Sequence, residues 1–135
     1  MAKSTGLGAS VAVDDSGGTP RTISNDITDF AVSTPRPDQD VTGLDKSARE
    51  RLLLLADFSA TFNGVFNPAA TTTAHAVVAT VPSTSVARTT TITVQAKVLA
   101  GELLYTDYAL TRGSDGAMTW SAPGVLSDGA VPTWA

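Results

Sequence analysis

The sequence contains no cysteine, which excludes a disulfide framework, a thiolate zinc site, a cysteine nucleophile and a redox pair, and leaves the redox character of the compartment open. Histidine occurs once, as His75. Set among Ala and Thr, it reads as a packed or surface side chain and not as a general base. The twelve serines include no nucleophile-elbow motif, so no Ser-His-Asp triad is expected. Long apolar runs are also missing: the longest aliphatic stretch, Leu52 to Ala56, falls far short of the ~20 residues that cross a bilayer. No transmembrane helix is expected, and the residues before Asp14 and Asp15 lack the apolar region of a signal peptide. Nine basic residues against thirteen acidic ones give a net charge of −4, and the scattered bases offer no face for stable phosphate binding.

What remains is a chain of 135 residues, 42% of them hydrophobic, enough for one domain with its own core. Among the acidic residues only Glu50 and Glu102 are not Asp, a bias toward turns and strand ends. Gly8 to Val13, the turn Asp14 to Gly18 and the extended Pro20 to Ile23 predict a hairpin. Ile27 to Ser33 predicts a strand with a bulge, because Ile27 and Phe30 break strict alternation. Two prolines and three charges make residues 34–44 a long exposed loop, and Asp45 is placed to cap a short helix over residues 46–51. From Ala56 to Phe66 the period is two, with Ala56, Phe58, Ala60, Phe62, Gly64 and Phe66 on one face. Pro68 then predicts the start of a helix whose apolar stripe, Ala70, Ala74, Val77, Val78 and Val81, ends at Pro82. Arg88 to Val98 and Glu102 to Arg112 read as strands, and the turn Gly113 to Gly116 leads into Ala117 to Ala122, before Pro123-Gly124 breaks the pattern. The expected fold is mainly β: a β-sandwich or partly open barrel of six or seven strands with one flanking α-helix.

Candidate constellations are sparse. Asp38 and Asp40, or Asp14 and Asp15, have the chemistry to ligate a hard cation, but their Pro-rich and Gly-Gly settings read as solvated turns. Gly6-Leu7-Gly8 leads into a strand instead of following one and is no phosphate loop. Arg49 and Arg51 flank Glu50 as an anion clamp would, or as a solvated helix face or a subunit contact. No catalytic residue, cofactor or metal is expected. From Phe58 to Ala87 the chain carries no formal charge, so this stretch is covered by its own domain or by neighbours, which points to a protein that works by assembling.

Several segments, in order, carry a resemblance. Asp14-Asp15-Ser16-Gly17-Gly18-Thr19-Pro20-Arg21-Thr22-Ile23-Ser24, then Asn63-Gly64-Val65-Phe66-Asn67 with Ala74-His75-Ala76-Val77, then Tyr108-Ala109-Leu110-Thr111-Arg112 and finally Leu126-Ser127-Asp128-Gly129-Ala130-Val131-Pro132-Thr133-Trp134 resemble the major tail (tail tube) proteins of long-tailed, siphovirus-type bacteriophages. The resemblance implies a structural virion protein whose hexameric rings stack into a hollow tube for genome delivery. It implies as partners further copies of itself, a tape measure protein, and tail terminator or distal tail proteins. Double-stranded DNA would pass through transiently without specific binding, and the chain would insert in no membrane. The protein would be made in the host bacterial cytoplasm and reside in the phage tail.

Within that frame the chain reads as a single domain with an N-terminal arm (about 1–8), the loop at about 34–44 and a C-terminal arm (about 127–135). Asp38, Asp40, Leu44, Arg49, Arg51 and Trp134 are the expected assembly contacts. The alternative is a small β-sandwich binding module for a carbohydrate or cell-surface ligand on a virion or fibre, which needs exposed aromatics in a cleft. Trp120 reads as a core residue, and only Trp134 is free for such a role.

Overall fold

The structure, a computed structural model, describes residues 3, 5–69 and 73–135. Ten strands and one short helix follow in chain order: β1 (Ser10–Asp14), β2 (Pro20–Thr22), β3 (Ile27–Ser33), β4 (Asp38–Asp40), β5 (Arg51–Leu53), β6 (Ser59–Val65), α1 (Ala74–Val78), β7 (Arg88–Val94), β8 (Lys97–Tyr105), β9 (Ala109–Arg112) and β10 (Met118–Leu126). Eight strands form one antiparallel sheet in the order β2-β1-β7-β8-β10-β6-β3, with β9 also on β10, and β4 pairs with β5 apart from it. The sheet does not close into a barrel. The mainly β class with one flanking helix agrees with the sequence; the strand count exceeds six or seven because the loop region supplies its own hairpin and the later strands divide.

The pivot of the sheet is β10. One edge runs along β6 from Thr119↔Val65 to Val125↔Ser59, while the other pairs first with β9 and then, from Gly124, with β8. Pro123-Gly124 therefore does not end the strand. The Pro123 carbonyl accepts from the Thr106 N–H at 3.1 Å, so the donor that proline lacks falls where β10 changes partner, and no ladder bond is lost. Gly124 leaves room for Leu103 and Tyr105, which a Cβ there would approach to 3.3 Å.

Alternation buries Phe58 and, on β6, Ala60, Phe62 and Gly64 as the sequence predicts, while Ala56 and Phe66 at the ends of the predicted face lie outside the strand and are half-buried. Phe58, Ala60 and Phe62 join Val11 and Val13 of β1, Ile92 of β7, Leu99, Leu103 and Tyr105 of β8, Trp120 and Ala122 of β10, and Ala74, Val77 and Val78 of α1 in one core. Much of the uncharged stretch is thus covered by its own domain. Burial raises the pKa of the Tyr105 phenol, whose hydroxyl is 2.6 Å from that of Thr90.

Local chemistry explains the turns. In the β1–β2 hairpin the Asp15 carboxylate accepts from the N–H groups of Gly17 and Thr19 at 2.9 and 3.0 Å. The Thr19 bond is the main reason its pKa is lowered. The bulge in β3 appears as a register shift between Ile27 and Asp29. Strands β7 and β8 divide at Gln95 and Ala96, both in the left-handed region (φ 50° and 66°), so the strand expected to run from Arg88 to Val98 ends at Val94. The helix also differs from expectation: Pro68 and Ala69 are not helical, and residues 70–72 lie outside the described residues. Instead, the Thr73 hydroxyl accepts from the Ala76 N–H at 3.2 Å and begins α1, threonine favouring the cap over the helix interior. Val81–Ser83 forms a separate 3-10 turn around Pro82.

Two buried polar side chains tie this helix to the sheet. Gly64 permits it at one end: a Cβ there would lie 1.8 Å from the Asp26 carbonyl oxygen. The close approach brings the buried Asp26 carboxylate to the Ala74 N–H at 2.9 Å and the Asn67 amide at 3.1 Å. At the other end Arg88, 1% exposed, donates to the carbonyls of Val77 and Asp14 and to the hydroxyls of Thr80 and Thr84. Burial lowers its pKa below the ordinary guanidinium value.

Candidate assembly surfaces

The segment read as a loop is a β-hairpin. Strands β4 and β5 pair as Asp38↔Leu53, Gln39↔Leu52 and Asp40↔Arg51, and backbone bonds extend the ladder at both ends. Asp57 N–H reaches Pro35 O at 2.9 Å, Leu54 N–H reaches Pro37 O at 2.7 Å, and Val41 N–H reaches Glu50 O at 2.9 Å. Residues 46–51 do not form the expected helix. The Thr42 hydroxyl accepts from the Glu50 N–H at 2.8 Å, drawing residue 50 into the ladder, while the helical remnant is one i,i+4 pair, Lys46–Glu50 at 3.4 Å.

Four of the six expected contact residues meet here, and they meet each other. Arg49 pairs with Asp40 and Arg51 with Asp38, the latter at 3.5 Å. Thr42 is the main group holding the Asp40 carboxylate below its ordinary pKa. Exposed pairs of this kind are screened by water and add little to subunit stability; they link the two strands of the hairpin side chain to side chain. Leu44 stands fully exposed near the tip. Trp134 is not part of this group; it lies in the C-terminal segment and is 52% exposed.

Beside those charges lies a run of leucines that the sequence shows only as a short aliphatic stretch. Leu52, Leu53, Leu54 and Leu55 are all exposed, Leu55 at 89%, and Val41 is exposed near them. Successive strand residues point to opposite faces, so the run leaves apolar side chains on both sides of the hairpin. Placed outside the main sheet, these leucines have no core of their own to enter, and exposed apolar side chains in this number suit a contact with another chain. The main sheet also ends in two strands, β2 and β3, each paired on one side only among the described residues. Such edges present free backbone donors and acceptors.

Catalytic geometry does not arise around His75. Its Nδ1 is 2.9 Å from the Tyr108 hydroxyl, and its ring meets Phe66 edge-on at 4.8 Å between centroids. Tyr108 in turn packs on Trp120 at 6.0 Å, and burial raises the pKa of its phenol. The cluster seals the side of α1 against β10. His75→Ala is expected to cost about 1 kcal/mol of subunit stability, the scale of one hydrogen bond, and to leave assembly unchanged; thermal melting and electron microscopy check the two parts. Among the described residues, no group of three or more His, Cys, Asp or Glu side chains converges as a metal site.

Comparison with solved structures gives the fold a context. The chain is similar to a chain in the C6-symmetric tail of an empty gene transfer agent particle, with 16% identity and a TM-score of 0.78 over 98% of this chain and 99% of that one. A chain in the virion of the native gene transfer agent gives 14% identity and the same TM-score over the same shares. A chain in the six-fold baseplate of the anti-feeding prophage gives 9% identity and a TM-score of 0.70 over all of this chain and 97% of that one. No protein-family model and no curated protein matches the sequence. The chain therefore has the fold of these tail and baseplate subunits from end to end.

Proposed function

We propose that this chain is a structural subunit of a phage-type tail tube, in which copies close into six-membered rings and the rings stack around a bore that conducts DNA. The observation that carries the reading is the end-to-end likeness in fold to a chain of a C6-symmetric tail, with neither chain left over. The physical features agree with it. A head-to-tail interface closes into a ring when its rotation closes, and stacked rings extend without limit. Free edges at β2 and β3 suit contacts within a ring, and a separate hairpin with exposed leucines on both of its faces suits contacts between rings. A net charge of −4 keeps the average potential unfavourable to phosphate, so DNA slides instead of sticking.

The same reading makes a tape measure protein and terminator or distal tail proteins its partners, and the virion tail its location after synthesis in a bacterial cytoplasm. It assigns the protein no enzymatic activity. Negative-stain microscopy of the purified protein across a concentration series is the test. Tubes of uniform width that appear above a threshold concentration support the reading, and small monodisperse particles at every concentration would count against it.

A further inference from the structure

The outer edge of β8 is only partly paired by the sheet. Strand β7 runs along one side from Lys97 to Leu103, while β10 meets the other side only at Leu103, Leu104 and Tyr105. The stretch from Val98 to Glu102 is covered instead by the C-terminal segment of the same chain. Ser127 N–H donates to Glu102 O at 3.1 Å, and Val98 and Ala135 exchange both backbone bonds, at 3.0 and 2.8 Å. Pro132 lies against Gly101, whose Cβ would come within 3.0 Å of it.

Between these two ends the cover fits poorly. The edge from Val98 to Glu102 spans roughly 13 Å, whereas residues 127–135 would span roughly 26 Å if extended at ~3.3 Å per residue. The segment must bulge, and it does. Asp128 accepts from the Ala130 N–H at 3.1 Å, Gly129 turns with φ 74°, and Pro132 has no donor to give. By strand alternation Ala100 presents its N–H and C=O to the same edge as Val98 and Glu102, yet no backbone bond joins it to the segment. A cavity lined by Ala100, Glu102, Asp128, Val131 and Pro132 occupies the gap.

We infer that residues 127–135 are an exchangeable arm, covering β8 of their own chain in the free subunit and β8 of an adjacent copy in the assembled tube. The edge is seen to accept this peptide, and a second copy brings the same peptide, so exchange preserves the pairing chemistry at low cost. The bulge gives the exchange its direction. Within one chain the arm begins at Ser127, already beside Glu102, and has too much length for the edge. An arm arriving from another copy has no such constraint and can lie straight across Ala100, making the bonds that the intramolecular arm leaves unmade. It also carries Trp134, half-exposed in the subunit, into the contact. The inference rests on the tube reading for its second copy.

Because the chain has no cysteine, a single engineered pair reports the exchange. Val98 and Ala135 form a hydrogen-bonded antiparallel pair, for which the Cα separation is about 5.5 Å, within disulfide range. The variants Val98→Cys and Ala135→Cys are purified separately, mixed in equal amounts, assembled under reducing conditions and then oxidised. Disulfide-linked dimers in the tubes are expected, since neither variant can bridge within its own chain at this pair. The double variant, oxidised before assembly and checked for fold by circular dichroism, is expected to build no tubes until reductant is added. Tubes of mixed single variants without a linked dimer, or locked double variants that assemble as well as reduced ones, would overturn the exchange alone. Failure of the unaltered protein to build tubes would overturn the tube reading and the exchange with it.

Discussion

Replacing Leu44, Leu52 and Leu55 together with serine is expected to leave the subunit folded and to stop it building tubes. All three side chains are exposed on the β4–β5 hairpin, outside the core of the main sheet, so each replacement changes subunit stability by no more than ~0.5 kcal/mol. In a ring-to-ring contact the same side chains are buried. Each fully buried leucine contributes roughly 1.5–3 kcal/mol, and three removed from every subunit would raise the threshold concentration for assembly by about three decades or more. Arg49→Gln, which removes one exposed ion pair, is expected to have a much smaller effect. Differential scanning fluorimetry of the free subunit and sedimentation of tubes separate the two quantities. Unchanged sedimentation of the triple variant would exclude the hairpin leucines as a contact.

Arg88→Ala is expected to act in the opposite way, on the subunit itself. The guanidinium joins β1, β7, α1 and the turn after α1 through two carbonyls and two hydroxyls, at 2.9 to 3.3 Å. Hydrogen bonds to charged groups contribute about 1.5–3 kcal/mol each, and stranded buried acceptors add their own cost. Truncation also opens a cavity where the largest fully buried side chain stood. A loss of about 3 kcal/mol or more follows, which for a domain with the usual margin of 5–15 kcal/mol is a large part of the total. Urea denaturation measures it. Arg88→Lys keeps the charge but cannot fork to two partners in one plane, and should recover only part of the loss. A stability equal to wild type in Arg88→Ala would show that the Arg88 hydrogen bonds contribute nothing to holding α1 on the sheet.

Strand β6 was legible because its alternation is local and its apolar set continuous, and the β1–β2 turn because Asp15 bonds the backbone only two and four residues away. The bulge at Ile27 showed as a broken period. The division of β7 from β8 left no such mark: left-handed turns favour glycine and asparagine, and here the chain uses Gln95 and Ala96. For residues 46–51, helix-tolerant side chains outweigh a β-ladder whose partner, residues 37–42, holds Pro37 and the charges of Asp38 and Asp40, which favour a loop. Arg88 and Asp26 could not be singled out, because their partners Asp14 and Ala74 lie 74 and 48 residues away. Of the six expected contact residues, Asp38, Asp40, Arg49 and Arg51 pair with one another on the hairpin, Leu44 stands exposed near its tip and Trp134 lies apart in the C-terminal segment. The sequence carries the charges but not their pairing, which depends on a ladder between residues 11 to 15 positions apart.

Stability should also weaken in acid through the turn carboxylates. Hydrogen bonds hold Asp15 and Asp40 below the ordinary value of 3.8, so their contribution is full above that pH and is lost as the pH falls through the lowered values.

Rings stacked into a tube are visible directly by cryo-electron microscopy of the purified protein at high concentration. Hollow tubes are expected, with end-on class averages that show six subunits around an open bore and the β4–β5 hairpin of each subunit touching the next ring. Monomers alone at every concentration, or filaments without a bore, would contradict it.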